Sequence, residues 1–531
     1  MPKNYSKFSP NLDKGPYDHI IIGSGIGSLT LATMLARCGR KVAIFERHYV
    51  PGGFTHAFKR KNGFQWDVGV HYMGNMTKKD GLRKIMDFLT NHRLEWEPMG
   101  DIYDVVYIEG DKYEFPAGKE NFRTQMKGYF PDDSEAIDQY LDLIDRTNRK
   151  GSAFFMEKSF EPWLSWLLGG LIRKPYQKIS NRTTFEVLND ITSNPRLIAV
   201  LCGQCGNYGL PPRESSFAAH AMVIGHFMEG GFYPHGGSPK IAERTLETLE
   251  KLGADIFVSS EVSEIVVEKN RVLGIKVKEH FIPCKSVISN IGVNNTFNYL
   301  LSEPQRKKCG FDLQSVEPSS AHLCLYVGLN KGDHELQLPK HNIWCYANEH
   351  ISSNLTDITA ESAASKFSYI SFPSAKDPEW RKENPDKATI QAITAARYDW
   401  FKDYEEQPWL KREEAYLQIK KSFENSMLDR LYELVPQIKG HVQYTEVSSP
   451  LSTRHFTNYK NGEIYGLAHS PERFNLSFLR PYTKIKGLKL VGQDITLVGV
   501  GGAMLSGMLC AITILKFRIW KVFKAFNEPL P

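Results

Sequence analysis

Several signals are scarce in this chain, and each scarcity removes a class of protein. Cysteine occurs eight times in 531 residues, scattered from Cys38 to Cys510 without regular spacing, which excludes a disulfide framework. The single Cys202-Gly-Gln-Cys205 pair has no second pair, so no metal site is expected. Charge of one sign is not in large excess: +6 is too mild to argue for a nucleic-acid partner. It does suit a protein that rests on an anionic membrane surface. Residues 1–14 are polar and lack the apolar core of a signal peptide, so a cytoplasmic protein is expected, at most peripheral at a membrane. Internal repeats and low-complexity segments are also missing.

Long hydrophobic runs are few. Residues 495–515 carry no charge and would pass as a membrane span on hydropathy alone. Gly499, Gly501, Gly502 and Gly507 within it, and the strand and turn before it, fit a buried helix better. The run Pro162-Trp-Leu-Ser-Trp-Leu-Leu-Gly-Gly-Leu-Ile172 is too short to span a bilayer. It reads either as a buried helix lining a second domain or as an interfacial segment, with Arg173, Lys174 and Lys178 at the headgroups. The tail from Lys516 to Lys524 alternates basic and apolar residues, as a plain helix end or a membrane contact would.

What is present is concentrated between Tyr17 and Gly74. An apolar run, His19-Ile20-Ile21-Ile22, suits a buried parallel strand. Gly23-Ser24-Gly25-Ile26-Gly27-Ser28 then turns the chain, and a helical pattern runs on to Gly39. A second strand, Val42-Ala43-Ile44-Phe45, ends on Glu46 and Arg47. This is the dinucleotide-binding fingerprint. Gly23 allows the tight turn, Gly25 lets backbone approach a pyrophosphate, and the helix start after Gly27 offers free N–H groups. Glu46 follows at roughly the 20-residue spacing of an acid that binds a ribose diol. Ser28 replaces the third glycine, at a position that serves helix–strand packing. A second glycine pair, Gly52-Gly53, and the motif Asp67-Val-Gly69-Val-His71-Tyr72 follow.

Further along, Tyr233-Pro-His-Gly236-Gly237-Ser238 precedes a helix over 241–252. Strands are expected at 254–258, 264–268, 272–277 and 285–290. Others are expected at 104–107, 112–115, 321–329 and 389–396, with an amphipathic helix over 413–434. Near the end stand Gly492-Gln-Asp494 and Gly499-Val-Gly501-Gly502-Ala503, with no strand and acid after them. They are not a second nucleotide fold.

On these blocks, together with Phe372-Pro-Ser-Ala-Lys-Asp-Pro378, the chain resembles the retinol saturase and carotenoid isomerase branch of the phytoene desaturase-like flavoproteins, from about Tyr17 to Leu515. It departs from that branch at Ser28 and in lacking the secretory signal of animal saturases. The resemblance implies an α/β fold: a discontinuous Rossmann-like FAD-binding domain of the amine oxidase and phytoene desaturase type, with a mixed α+β substrate domain. The expected division is a tail over 1–16, an FAD domain over 17–76, 230–298 and 446–515, a substrate domain over 77–229 and 299–445, and a basic-apolar tail over 516–531. The resemblance also implies that Gly52 and Gly53 approach the flavin end of FAD and that backbone at Val262 touches the adenine. Gly492 and Asp494 would meet the ribityl hydroxyls, and the helix start at Gly501, Gly502 and Ala503 would face the flavin.

Such enzymes act on lipophilic polyenes or isoprenoids by hydride exchange with flavin N5. The leading expectation is a saturase. An isomerase or desaturase with the same cofactor is the alternative, and a lipid-escort protein of related fold is the non-enzymatic one. His71 and Tyr72 are the candidate catalytic residues, because a histidine titrates near neutrality and both follow the Asp67 motif. No partner for electrons is legible.

Overall fold

The computed structural model describes residues 5–311 and 317–530. Residues 1–4 of the N-terminal tail, 312–316 of the expected substrate segment and Pro531 of the C-terminal tail lie outside the described residues.

Tyr17–Ile22, with its apolar run Ile20-Ile21-Ile22, is nearly all buried, and it forms a central strand of an eight-stranded sheet. It pairs in parallel with Val42–Phe45 on one side and His280–Ser289 on the other. Leu488–Leu490 adds to His280–Ser289, also in parallel. The register brings Ile22, Phe45, Ser289 and Leu490 to one edge. The residues that follow these strands, Gly23, Glu46, Asn290 and Gly492, are therefore gathered at the carboxyl ends, where open α/β sheets bind ligands.

Two details differ from the sequence expectation. The strand expected at 285–290 runs from His280 to Ser289, because its first half also pairs with Arg271–Val277 in an antiparallel meander. The N-terminal tail is not a free tail: Ser6–Lys7 pairs with Asp255–Val258 and extends the sheet edge, while Phe8 packs on Phe45 and Phe257.

The second sheet has seven strands, in the order Val442–Ser448, Ala321–Leu329, Ala388–Ala396, Phe367–Ser371, Asn342–Tyr346, Ile102–Ile108 and Asp111–Pro116. All its pairings are antiparallel except that of Asn342–Tyr346 with Ile102–Ile108. Alanine, β-branched and aromatic side chains dominate its inner strands. The helix Glu414–Leu434 covers one face through Phe423, Met427 and Leu431.

Among the described residues, the one helix long and apolar enough to cross a membrane is Gly499–Asn527. Its first part, Gly499–Leu515, packs along Ile26–Arg37 inside the first domain. A β-carbon at Gly507 would lie 2.5 Å from the Gly27 carbonyl oxygen, so glycine permits this close approach. The helix Pro162–Ser180 does not line the second domain as a buried helix. Its large apolar residues face outward, with Trp166 85% exposed.

Candidate active site

One large cavity, about 1560 Å³, runs between the two sheets. Gly23, Gly25, Gly27, Glu46, Arg47, Gly52, Gly53, Val262, Gly492, Asp494 and Ala503 line it. The structure thus brings together residues from all three pieces expected to hold a cofactor.

Missing β-carbons shape this end of the cavity. A β-carbon at Gly25 would stand 3.0 Å from Asn290 Nδ2, and one at Gly492 2.5 Å from Asn290 Oδ1. One at Gly53 would stand 3.1 Å from Gly25 Cα, and one at Gly27 3.0 Å from the Ala503 carbonyl. Side chains here would push these segments apart; glycine lets them close together with backbone and the start of the Ile26–Arg37 helix along the cavity. Gly52 also needs its left-handed conformation, φ 117°, and its N–H donates to Ser24 Oγ at 3.0 Å.

The Glu46 carboxylate closes the loop. Its Oε2 accepts from Ser24 N–H at 2.8 Å and Ser24 Oγ at 2.7 Å, and its Oε1 accepts from His48 N–H at 2.7 Å. Two carboxylate oxygens offer about four acceptor sites, so one remains open. Arg47 donates to the carbonyls of His455 and Phe456 and to Asn458 Oδ1, which pins that segment to the cavity rim. Asp494 is buried and accepts from Val293 N–H at 2.8 Å and Leu467 N–H at 3.0 Å. Arg473 clamps the same turn from behind, donating to the carbonyls of Leu467, Gln493 and Asp494.

Three expected cofactor residues stand outside the cavity lining. Ser28 is fully buried in its helix and is a packing residue. Gly501 and Gly502 turn away from the cavity; a β-carbon at Gly502 would collide with the Leu497 carbonyl oxygen. Gly499, Val500 and Ala503 present that helix start to the cavity instead.

The other arm of the cavity is aromatic and apolar. Trp344, Phe367, Tyr369 and Tyr465 line it with Leu355 and Ile393. His71 stands beside it, its ring centroid 5.4 Å from that of Tyr369. Gln391 sets the state of His71. The Gln391 amide N–H donates to the Asp67 carbonyl at 2.5 Å, so its Oε1 turns to His71 Nδ1 at 3.0 Å. Nδ1 must then carry the proton, and Nε2 is left as the acceptor. Burial, reinforced by the nearby Lys376 charge, pulls the His71 pKa down to about 3. The expectation of a histidine titrating near neutrality is therefore overturned: His71 is a neutral ring.

Tyr72 is also corrected. Its hydroxyl donates to Asp104 Oδ2 at 2.8 Å and accepts from Asn207 Nδ2 at 2.9 Å, and its ring stacks on Phe227 at 4.1 Å. It lies behind the cavity wall, to which Asn207 but not Tyr72 belongs. Burial first, then Asp104, raises the Tyr72 pKa far above the phenol range.

Sequence reading missed Lys376, although the Phe372-to-Pro378 motif contains it. Its ammonium donates to the His71 carbonyl at 3.1 Å, to Ser371 Oγ at 2.7 Å and to Asn342 Oδ1. Burial pulls its pKa down to about 7, against the attraction of Asp104 and Asp67. Asn290, Trp344, Tyr369 and His322 were missed as well, and no local motif marks them. The thiols of Cys202 and Cys205 are buried, and burial pushes Cys205 up to about 12.

A glycine cradle at the carboxyl ends of a parallel sheet, continuous with an aromatic arm, defines an oxidoreductase that holds a dinucleotide or flavin cofactor. Residues 21–89 match the model of the NAD(P)-binding Rossmann-like domain. The chain is 32% identical over 521 residues to the all-trans-retinol 13,14-reductase of Danio rerio, covering 94% of this chain and 86% of that one. It is 25% identical to prolycopene isomerase 2, chloroplastic, of an Oncidium hybrid cultivar, covering 93% and 83%. A solved putrescine oxidase with putrescine bound shares the fold at a TM-score of 0.63 and 13% identity, over 94% of this chain and 99% of that one. The chain belongs to the all-trans-retinol 13,14-reductase family and is an oxidoreductase acting on C=C bonds.

Proposed function

We propose that the glycine cradle holds FAD and that the aromatic arm takes a lipophilic polyene, which the enzyme saturates as the retinol reductases it resembles are named for doing. The observation that carries this reading is the continuity of one cavity from Gly25 and Glu46 to Tyr369 and Trp344. The cradle suits a dinucleotide because Gly25, Gly53 and Gly492 line it and let its segments approach closely without side chains. Glu46 would hold a ribose, backbone at Val262 the adenine, and the Asp494 turn with the helix start at Gly499 and Ala503 the flavin half. When bound, FAD supplies hydride exchange with one carbon of a C=C bond.

The chain's own residues position the polyene and manage the proton. The aromatic arm excludes water and fixes the chain by packing, since a C=C bond without an adjacent carbonyl offers no oxyanion to stabilise. Neutral His71 keeps Nε2 as an acceptor, so it does not deliver a proton as an imidazolium. Tyr369 lines the cavity beside it, and burial holds its hydroxyl protonated far above neutral pH. We assign Tyr369 as the proton donor, a role that requires its hydroxyl, shielded from the cavity here, to turn toward the polyene, with His71 as its ring neighbour and Lys376 as the support of His71 from behind. Similarity to prolycopene isomerase supports a second reading, isomerisation with the same cofactor.

The cofactor assignment is tested by extracting and identifying the chromophore of the purified protein and of Glu46→Ala and Gly25→Val. Wild type is expected to carry FAD and both variants to lose it. A colourless wild type that takes up no FAD, or full occupancy in both variants, overturns the assignment.

A further inference from the structure

The helix Pro162–Ser180 presents its apolar side to solvent. A surface helix ordinarily turns an apolar stripe inward. Here the buried positions are Ser165, Gly169, Tyr176 and Ser180. Trp163, Trp166, Leu167 and Leu171 follow the same helical period on the outer face. The helix is attached without them. Fully buried Glu157 accepts from Ser165 Oγ, from Arg173 Nη1 at 2.8 Å and from Arg480 Nη2 at 3.2 Å. Tyr176 packs on Phe154 at 4.7 Å between ring centroids. The outward tryptophans and leucines therefore contribute nothing to holding the helix in place.

A second exposed apolar segment adjoins the start of this helix. Lys516 Nζ pairs with Glu161 at 3.0 Å, bringing the C-terminal segment alongside. Phe517, 91% exposed, and Trp520 face solvent there, while Ile519 and Val522 are buried beneath. Lys516, Arg518, Lys521 and Lys524 are exposed between them. Neither 162–180 nor 499–527 contains an acidic residue. Among the described residues, Lys174, Lys178, Arg518, Lys521 and Lys524 make no ion pair.

We propose that these two segments form one docking surface for an anionic lipid bilayer. Trp163, Trp166, Leu171, Phe517 and Trp520 would enter the headgroup–acyl boundary while the lysines and arginines meet anionic headgroups. Clustered exposed aromatics mark an interaction site. Tryptophan and flanking cations suit the membrane interface, and apolar insertion combined with a basic patch gives firmer anchoring than either alone. A second copy of the chain fits poorly, because a two-fold contact would set this patch against itself and oppose like charges. The apolar run of the first helix is too short to span, so the surface lies on the bilayer. This docking is independent of the cofactor and the substrate.

Flotation of the full chain with vesicles tests it. Binding is expected to phosphatidylcholine vesicles containing phosphatidylserine, to weaken as salt is raised, and to be far lower on phosphatidylcholine alone. The pairs Trp166→Ser with Leu171→Ser, and Phe517→Ser with Trp520→Ser, should each reduce binding on the order of tenfold or more. Their thermal midpoints should match wild type, since the replaced side chains are exposed. Absence of wild-type binding to the anionic vesicles, equal binding to both vesicle types, or wild-type binding by either pair overturns the proposal. So does a lipid-free dimer that the Trp166/Leu171 variant converts to monomer, which would assign the surface to a second copy.

Discussion

Gly507 lies so close to Gly27 that a β-carbon at position 507 would stand 2.5 Å from the Gly27 carbonyl oxygen. The last long helix of the chain thus rests directly on the helix that starts at the dinucleotide loop. Gly507→Val must push the two helices apart. It is expected to lower stability by about 3 kcal/mol, as overpacking against backbone does, and to reduce cofactor occupancy. Chemical denaturation and the chromophore-to-protein ratio check both effects.

Tyr369→Phe keeps the ring and removes only the hydroxyl. Polyene reduction should slow by about 100-fold, the scale of a lost general acid, while cofactor occupancy stays at the wild-type level. Single-turnover mixing of reduced enzyme with a polyene measures this. An unchanged rate removes Tyr369 from the chemistry.

Tyr72→Phe separates support from chemistry. It takes a hydroxyl from between Asp104 and Asn207 and should cost about 1–3 kcal/mol, because buried polar partners are left unpaired. Its rate loss should be far smaller than that of Tyr369→Phe. Urea denaturation and the same mixing experiment distinguish the two variants.

The buried histidines make stability depend on pH. Burial pulls His71 and His220 down to about 3, and His19, His226, His322 and His341 to about 4. Between the ordinary value of 6.5 and those folded values the unfolded chain holds more protons. Stability therefore rises with pH across this window and is lost as pH falls through it. Asp67 and Asp104, raised to about 6, act in the opposite sense between the ordinary carboxylate value and 6, but they are fewer. The thermal midpoint should fall from pH 7 to pH 5. His220→Gln, which sits between Tyr140 and Tyr208 outside the cavity lining, should make that fall shallower. His71 itself should add no inflection to the turnover profile; an inflection near pH 7 is expected from Lys376, which holds the His71 carbonyl.

The first strand–helix–strand unit of the glycine cradle was legible because its signals are local. Gly23, Gly25 and Glu46 lie on one strand–helix–strand unit whose spacing is fixed by geometry. Asn290 was not legible, since it acquires its place among Gly25, Gly27 and Gly492 only from the parallel register of distant strands. Trp344 and Tyr369 come from neighbouring strands of the second sheet, and which face they take is set by pairing. His71 and Tyr72 are adjacent in sequence, yet one meets the cavity and the other the core, a distinction that a motif does not encode. The Trp163–Leu171 run showed the same limit: its composition suited burial and exposure equally, and the inward Ser165 and Gly169 decided between them.

Saturation of a polyene by the protein-bound flavin is tested most directly by mixing anaerobically reduced enzyme with all-trans-retinol and following both chromophores. The predicted result is replacement of the retinol band by one at shorter wavelength, as a shorter conjugated system gives, with stoichiometric oxidation of the flavin. A shifted polyene band with the flavin still reduced would contradict saturation and establish isomerisation in its place.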